Sequence, residues 1–161
     1  MNEADRAYER ALSFLENRDR TEREMLDKLK GAGFSEEDSL AALERLKDAG
    51  LVDDNSYAER YLAALIAKGH GRLRISAEMR RKGLKEELVR NTLEDGFSSE
   101  DEQAMAAAAA RRCLEGMQGE DRTLSRKAAG KVNRRLVSLG FSYAVIGSAM
   151  RDLRTEKEDE C

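Results

Sequence analysis

The sequence has no proline and no tryptophan, and only 5% of its 161 residues are aromatic. Without proline nothing forbids helix from one end to the other. With so few rings a single large core is unavailable, and several small ones are expected. No run of β-branched and aromatic residues alternates with polar ones, so strands are not predicted. The one histidine, His70 in "KGHGRL", has no serine, cysteine or acidic motif around it that would make it a catalytic base, and reads as a loop residue. Two cysteines, Cys113 in an alanine-rich stretch and Cys161 at the end, offer neither a disulfide framework nor metal-ligand spacing, and Cys113 is expected to be a small buried hydrophobe. "AAGKVN" has the Gly-Lys of a phosphate-binding loop but lacks the preceding glycine and the hydroxyl. The longest aliphatic run, "AMAAAAA" (Ala104 to Ala110), is far too short to cross a bilayer, and "MNEADRAYER" is not a signal peptide. These absences predict a soluble cytoplasmic protein without an active site, cofactor, metal or membrane contact.

What is present is a helix-forming composition rich in Ala, Leu, Glu, Arg and Lys, and a corner that occurs three times. "KLKGAGFSEEDSLAALERL" holds Leu29, Gly33, Phe34 and Leu43; "EMRRKGLKEELVRNTL" holds Met79, Gly83, Leu84 and Leu93; "RRLVSLGFSYAVIGSAMRDL" holds Leu136, Gly140, Phe141 and Met150. Each glycine can take the left-handed conformation that ends a helix, and Ser142 can cap the helix that follows. Phe34, Leu84 and Phe141, next to the glycines, are predicted to plug the corners. The match continues upstream through Met25, Ile75 and Val132. The first two corners lie 50 residues apart, an offset that also superposes Leu12 on Leu62 and Leu15 on Leu65. The second and third lie 57 apart, which places about seven extra residues in "EGMQGEDRTLS". Repetition at this length marks stacked helical units, and a corner of two short helices needs a third helix to bury its apolar face. The predicted fold is all-α, with three-helix repeats at 1–55, 56–98 and 99–161, the last ending in an acidic tail. Asp53 and Asp54 are expected to cap the first helix of repeat two, and Tyr57 and Tyr61 to be core residues on it.

Charge is distributed unevenly. The chain carries −3 overall, yet Lys68 to Lys85 holds seven basic residues against one acid, and Arg122 to Arg135 holds six against none. The rest of the chain is therefore at −15. Faces that merely solubilise a helix mix the two signs, and these do not. In the second window Ala128, Val132 and Leu136 run at i, i+4, i+8 and face a core, while Lys127, Lys131, Arg134 and Arg135 form a stripe beside them. Such a stripe repels itself and becomes favourable only opposite acidic groups or phosphates. Arg74 is the counterpart of Lys131 in repeat two. Repeat one has Glu24 there, flanked by Glu22 and Asp27, and is expected not to share the site.

The corners, together with "LKDAGLVDDNSYAERYL", "KGHGRLRISAEMRRKGL" and "RRLVSLGFS", resemble the RecX regulatory proteins of bacteria over roughly residues 7 to 153. The resemblance implies an elongated, curved array of three-helix units. It also implies a modulator that binds the RecA filament on single-stranded DNA, acting in the filament groove and usually inhibiting ATPase, strand exchange and coprotease functions. A curved array could touch successive subunits of such a filament, so that weak contacts add. The expected contact residues are Lys68, Arg72, Arg74, Arg81, Lys82, Lys127, Lys131, Arg134 and Arg135, on a monomer whose net charge predicts weak or indirect contact with nucleic acid itself. Two other classes compete. A helix-turn-helix reader of duplex DNA should carry Arg, Asn or Gln on the helix after the corner, and "SYAVIGSAM" has none. A passive scaffold would need no one-signed face.

Overall fold

The computed structural model describes residues 1–117 and 124–159. Most of the insertion predicted before the third corner, with Arg122 in it, and Cys161 lie outside the described residues. Within them the chain is all-α, with nine helices and no strand. In chain order these are α1 (Glu3–Asn17), α2 (Glu22–Gly31), α3 (Glu36–Asp48), α4 (Asp54–Ala67), α5 (Arg72–Arg81), α6 (Glu86–Gly96), α7 (Ser99–Glu115), α8 (Arg126–Leu139) and α9 (Tyr143–Asp159). They divide into two compact units: Met1–Tyr61 with Glu78–Val89, and Leu62–Ala77 with Arg90–Cys161.

The first unit is organised by α1, α2 and α3, which bury Ala7, Ala11, Met25, Leu29, Ala42, Leu43 and Leu46 together with Val52. Helix α2 begins with a capping box: Glu24 N–H donates to Thr21 Oγ1 and Thr21 N–H to the Glu24 carboxylate. That arrangement satisfies two of the amides a helix start leaves without partners. In the second unit α7, α8 and α9 enclose Ala106, Ala110, Leu114, Val132, Leu136, Ile146, Ala149 and Leu153. The alanine run sits on α7, where small side chains let the neighbouring helices approach. Cys113 packs against this core but is only half-buried, less enclosed than the sequence predicts.

The corners share one geometry. Gly33, Gly83 and Gly140 have φ of 98°, 87° and 91°, in the left-handed region glycine alone enters without cost. The residue after each glycine donates its amide back five positions: Phe34 to Leu29, Leu84 to Met79 and Phe141 to Leu136. These acceptors are the apolar residues that define the sequence repeat, so one residue both fills the core and ends its helix. Ser142 caps α9 as predicted, through Val145 N–H. Leu84 and Phe141 are buried plugs, at 4% and 3% exposure. Phe34 is not, being only half-buried against its core. The difference has a cause. The glycines at 83 and 140 are covered by an incoming helix, whereas a Cβ on Gly33 would meet nothing within 4 Å.

Those coverings are helix starts. In the first unit Thr21 Oγ1 donates to the Lys82 carbonyl at 2.6 Å, and a Cβ on Gly83 would lie 2.5 Å from Arg23 Cβ. In the second, Gly71 N–H donates to the Leu139 carbonyl at 2.7 Å and Leu73 N–H to the Gly140 carbonyl at 3.0 Å. Thus the head of α2 sits on the tail of α5, and the head of α5 on the tail of α8.

Candidate partner-binding surface

In the second unit, Ser125 accepts from Ala128 N–H and starts α8. From there the amphipathic spacing buries Ala128, Val132, Leu136 and Leu139 and turns Lys127, Lys131, Arg134 and Arg135 outward, all four exposed. Among the described residues none of the four has an ion-pair partner within 4 Å, so the stripe keeps its full positive charge. The docked head of α5 extends it. Arg74 Nη1 donates to the Ser138 carbonyl at 3.2 Å, and Ser138 follows Arg134 by four residues and Arg135 by three on the same flank of α8. Two segments separated by about 60 residues of sequence are thereby joined into one basic face. Close approach of backbone makes this possible: a Cβ on Gly71 would lie 2.6 Å from both the Gly140 oxygen and Phe141 Cδ1. Lys68, in the same unit, is exposed.

Arg72 has a different place. Its guanidinium donates to the Phe97 carbonyl, lies 5.6 Å from the Phe97 ring centroid and 3.7 Å from Glu102 Oε1. Its backbone amide donates to Glu102 Oε2 at 2.7 Å. Glu102 is only 5% exposed, and it both caps α5 and neutralises the arginine beside it. Arg72 thus holds the unit together through its cation and its ring contact.

Arg81 and Lys82 belong to the first unit. Arg81 is exposed. Lys82 Nζ lies 3.8 Å from Glu24 Oε2 and 5.7 Å from the Tyr61 ring centroid, and its carbonyl takes the Thr21 hydroxyl. Glu24 is also held by Arg18, whose Nη2 donates to Oε2 at 2.5 Å. Burial alone would raise the Glu24 pKa, but Arg18, the Thr21 amide and Lys82 together bring it below the ordinary carboxylate value. Tyr57 and Tyr61, with ring centroids 5.7 Å apart, border this network, and burial raises both hydroxyls. They are half-buried, and Tyr61 donates to Glu78, so they are less internal than the sequence predicts.

The acidic pair divides its work. Asp53 caps α4, accepting from Ser56 N–H and Oγ, as expected. Asp54 instead accepts from Glu22 N–H at 2.9 Å and so caps α2; burial raises its pKa against that hydrogen bond. Sequence reasoning missed Asp54 and Glu102 in this role, since their partners lie 32 and 30 residues away. It had the means to find the Thr21–Glu24 box, whose spacing is local. Among the described residues no helix is long and apolar enough to cross a membrane, and no group of three or more His, Cys, Asp or Glu could hold a metal.

Comparison with known proteins places these features. Residues 7–46 match the family model described as RecX, first three-helix domain, and residues 53–93 that of the second. The regulatory protein RecX of Mycobacterium sp. (strain KMS) is 31% identical over 150 residues, spanning 90% of this chain and 82% of its own. That of Clostridium perfringens (strain SM101) is 32% identical, covering 89% of this chain and 66% of the relative. The crystal structure of RecX from Lactobacillus salivarius superposes with a TM-score of 0.80 at 22% identity, over 94% of this chain and 96% of that one. With two of its three-helix domains matched and near 30% identity sustained over most of its length, the chain belongs to the RecX family of regulatory proteins.

Proposed function

We propose that this protein binds the RecA filament on single-stranded DNA and inhibits its ATPase, strand exchange and coprotease functions, acting in the cytoplasm through three helical units at 1–55, 56–98 and 99–161. The observation that carries this reading is the face formed by Lys127, Lys131, Arg134 and Arg135 with Arg74 beside Ser138. The four cations of α8, without an ion-pair partner among the described residues, are costly to assemble and gain energy only against phosphates or carboxylates. A protein–DNA filament presents both. Because Lys131 and Arg135 flank the buried stripe and do not join it, Lys131→Glu with Arg135→Glu removes the face without removing the core. The test is co-sedimentation with RecA assembled on single-stranded DNA, against naked DNA and RecA alone, together with RecA ATPase. The reading expects the wild type to bind the filament best and inhibit it, and the double reversal to lose both at unchanged helicity. A double reversal that still inhibits in full would refute it.

A further inference from the structure

The register that superposes the three corners also superposes what lies before them. Arg20, Glu24 and Lys28 correspond to Lys127, Lys131 and Arg135, so the α8 stripe has a counterpart on the α1–α2 side of the first unit. There the structure has a cavity of about 550 Å³. Its carboxylate at Glu24 is already matched by Arg18 at 2.5 Å and by Lys82 at 3.8 Å. What remains on the wall is Arg10, Arg20 and Lys28 around the Phe14 ring, with Asp27 as the only other acid. The Arg10 guanidinium carbon is 5.0 Å from the ring centroid and the Lys28 ammonium 5.5 Å. The Nε of Arg20 is buried and has no hydrogen-bond acceptor among the described residues. That burial is unfavourable for a guanidinium, whose charge an anion entering the pocket would balance.

We propose that this pocket binds a phosphodiester segment of single-stranded nucleic acid, with phosphate at Arg10, Arg20 and Lys28 and a base or sugar against Phe14. An aromatic face set among cations is the combination that holds single strands without reading their sequence, since every base has a flat face and every link a charge. An acidic peptide would use the cations and have no need of the ring. Repeat one, which the sequence is expected to leave outside the site, contributes through positions 10, 20 and 28. The proposal rests on the reading that the basic faces meet the filament's strand, and it adds a binding point that the α8 stripe does not supply.

The test uses the full chain and a short fluorescein-labelled oligothymidylate, followed by anisotropy at low ionic strength. It is run both in the parent and in a Lys131→Glu, Arg135→Glu background, so that the stripe cannot mask the pocket. In both backgrounds Arg10→Glu with Lys28→Glu is expected to weaken binding at least about tenfold and to flatten the log–log salt dependence by about 0.7 for each phosphate no longer held. Phe14→Leu, which keeps an apolar side chain against the core, is expected to weaken binding and leave the salt slope alone. Circular dichroism confirms that each variant is folded. Absence of oligothymidylate binding by the parent, or equal binding by the Arg10, Lys28 variant, overturns the proposal. So does displacement by poly-glutamate with Phe14→Leu silent, which assigns the pocket to an acidic peptide. A stripe reversal that leaves RecA inhibition intact counts against the proposed function alone, because the pocket is read by the oligonucleotide.

Discussion

Replacing the corner glycines one at a time by alanine separates the energy of a left-handed turn from the energy of docking a helix upon it. Gly33 and Gly140 have nearly the same backbone, at φ of 98° and 91°, and differ in what stands over them. At Gly33 the new methyl meets nothing within 4 Å, so the cost is the left-handed conformation alone, about 1–2 kcal/mol. At Gly140 the methyl would lie 2.6 Å from the Arg74 amide nitrogen, a distance that forces the head of α5 to withdraw. Withdrawal breaks the bonds from Gly71 to Leu139 and from Leu73 to Gly140, each worth about 1 kcal/mol net. Gly140→Ala should therefore destabilise by about 3–4 kcal/mol, against about 1–2 for Gly33→Ala. For a chain of this size each kcal/mol lowers Tm by about 2–4 °C, so the two variants should separate clearly in calorimetry. Hydrogen exchange gives a second reading: the Gly71 and Leu73 amides should lose protection in the Gly140 variant and keep it in the other. Equal destabilisation by both substitutions would refute the docking argument, and with it the placement of Arg74 at the end of the basic stripe.

Phe141→Ala should cost about 3–5 kcal/mol, since the ring is fully enclosed, while Phe34→Ala should cost clearly less because its ring is half-exposed; urea titration of both decides this. Under the proposed function, inhibition of RecA should weaken as salt rises, with a log–log slope of about −0.7 to −0.9 for each phosphate if phosphates are the partner, and more shallowly if RecA carboxylates are. Glu24 is held below its ordinary value, so it stabilises the folded chain at neutral pH and loses that contribution as pH falls below about 4.5 and through its lowered value. Acid titration of stability should accordingly be shallower in Glu24→Gln than in the parent; identical profiles would remove Glu24 from the network that holds Lys82.

The corners were legible in the sequence because every interaction that makes them is short-range. The glycine, the apolar residue four before it and the plug one after it are tied by hydrogen bonds spanning five residues, so spacing alone carries the information. The amphipathic division of α8 was legible for the same reason, since a period of 3.6 sorts Val132 from Lys131 without knowledge of the rest. What covers a corner is another matter. The sequence treats Phe34 and Phe141 alike, and they differ because one tail carries a docked helix and the other does not. The identity of that helix is set by chain folding over some 70 residues, from Gly71 to Leu139, which no local period encodes.

Charge shows the same boundary from the functional side. Counting cations in a window puts Arg72, Lys82 and Lys131 on equal standing. They are unequal because an arginine in the first turn of a helix faces the amides that the turn leaves open, and an acid brought there to cap them also captures the guanidinium. Glu102 does this at the head of α5, where one buried carboxylate takes both the Arg72 amide and its side chain. Lys82 meets a similar fate at a helix end, where the capping residue Glu24 of the docked α2 lies within reach. Lys127, Lys131, Arg134 and Arg135 lie on an exposed flank of α8, where no capping acid from a neighbouring helix reaches them. A cation beside a capping acid, as Arg72 and Lys82 are, is therefore used for folding, while the four on the outward flank of α8 have no ion-pair partner among the described residues. That difference separates Arg72 and Lys82 from the stripe, and it points to the first unit's Arg10 and Lys28, which stand on outward flanks of α1 and α2, as cations of the second kind.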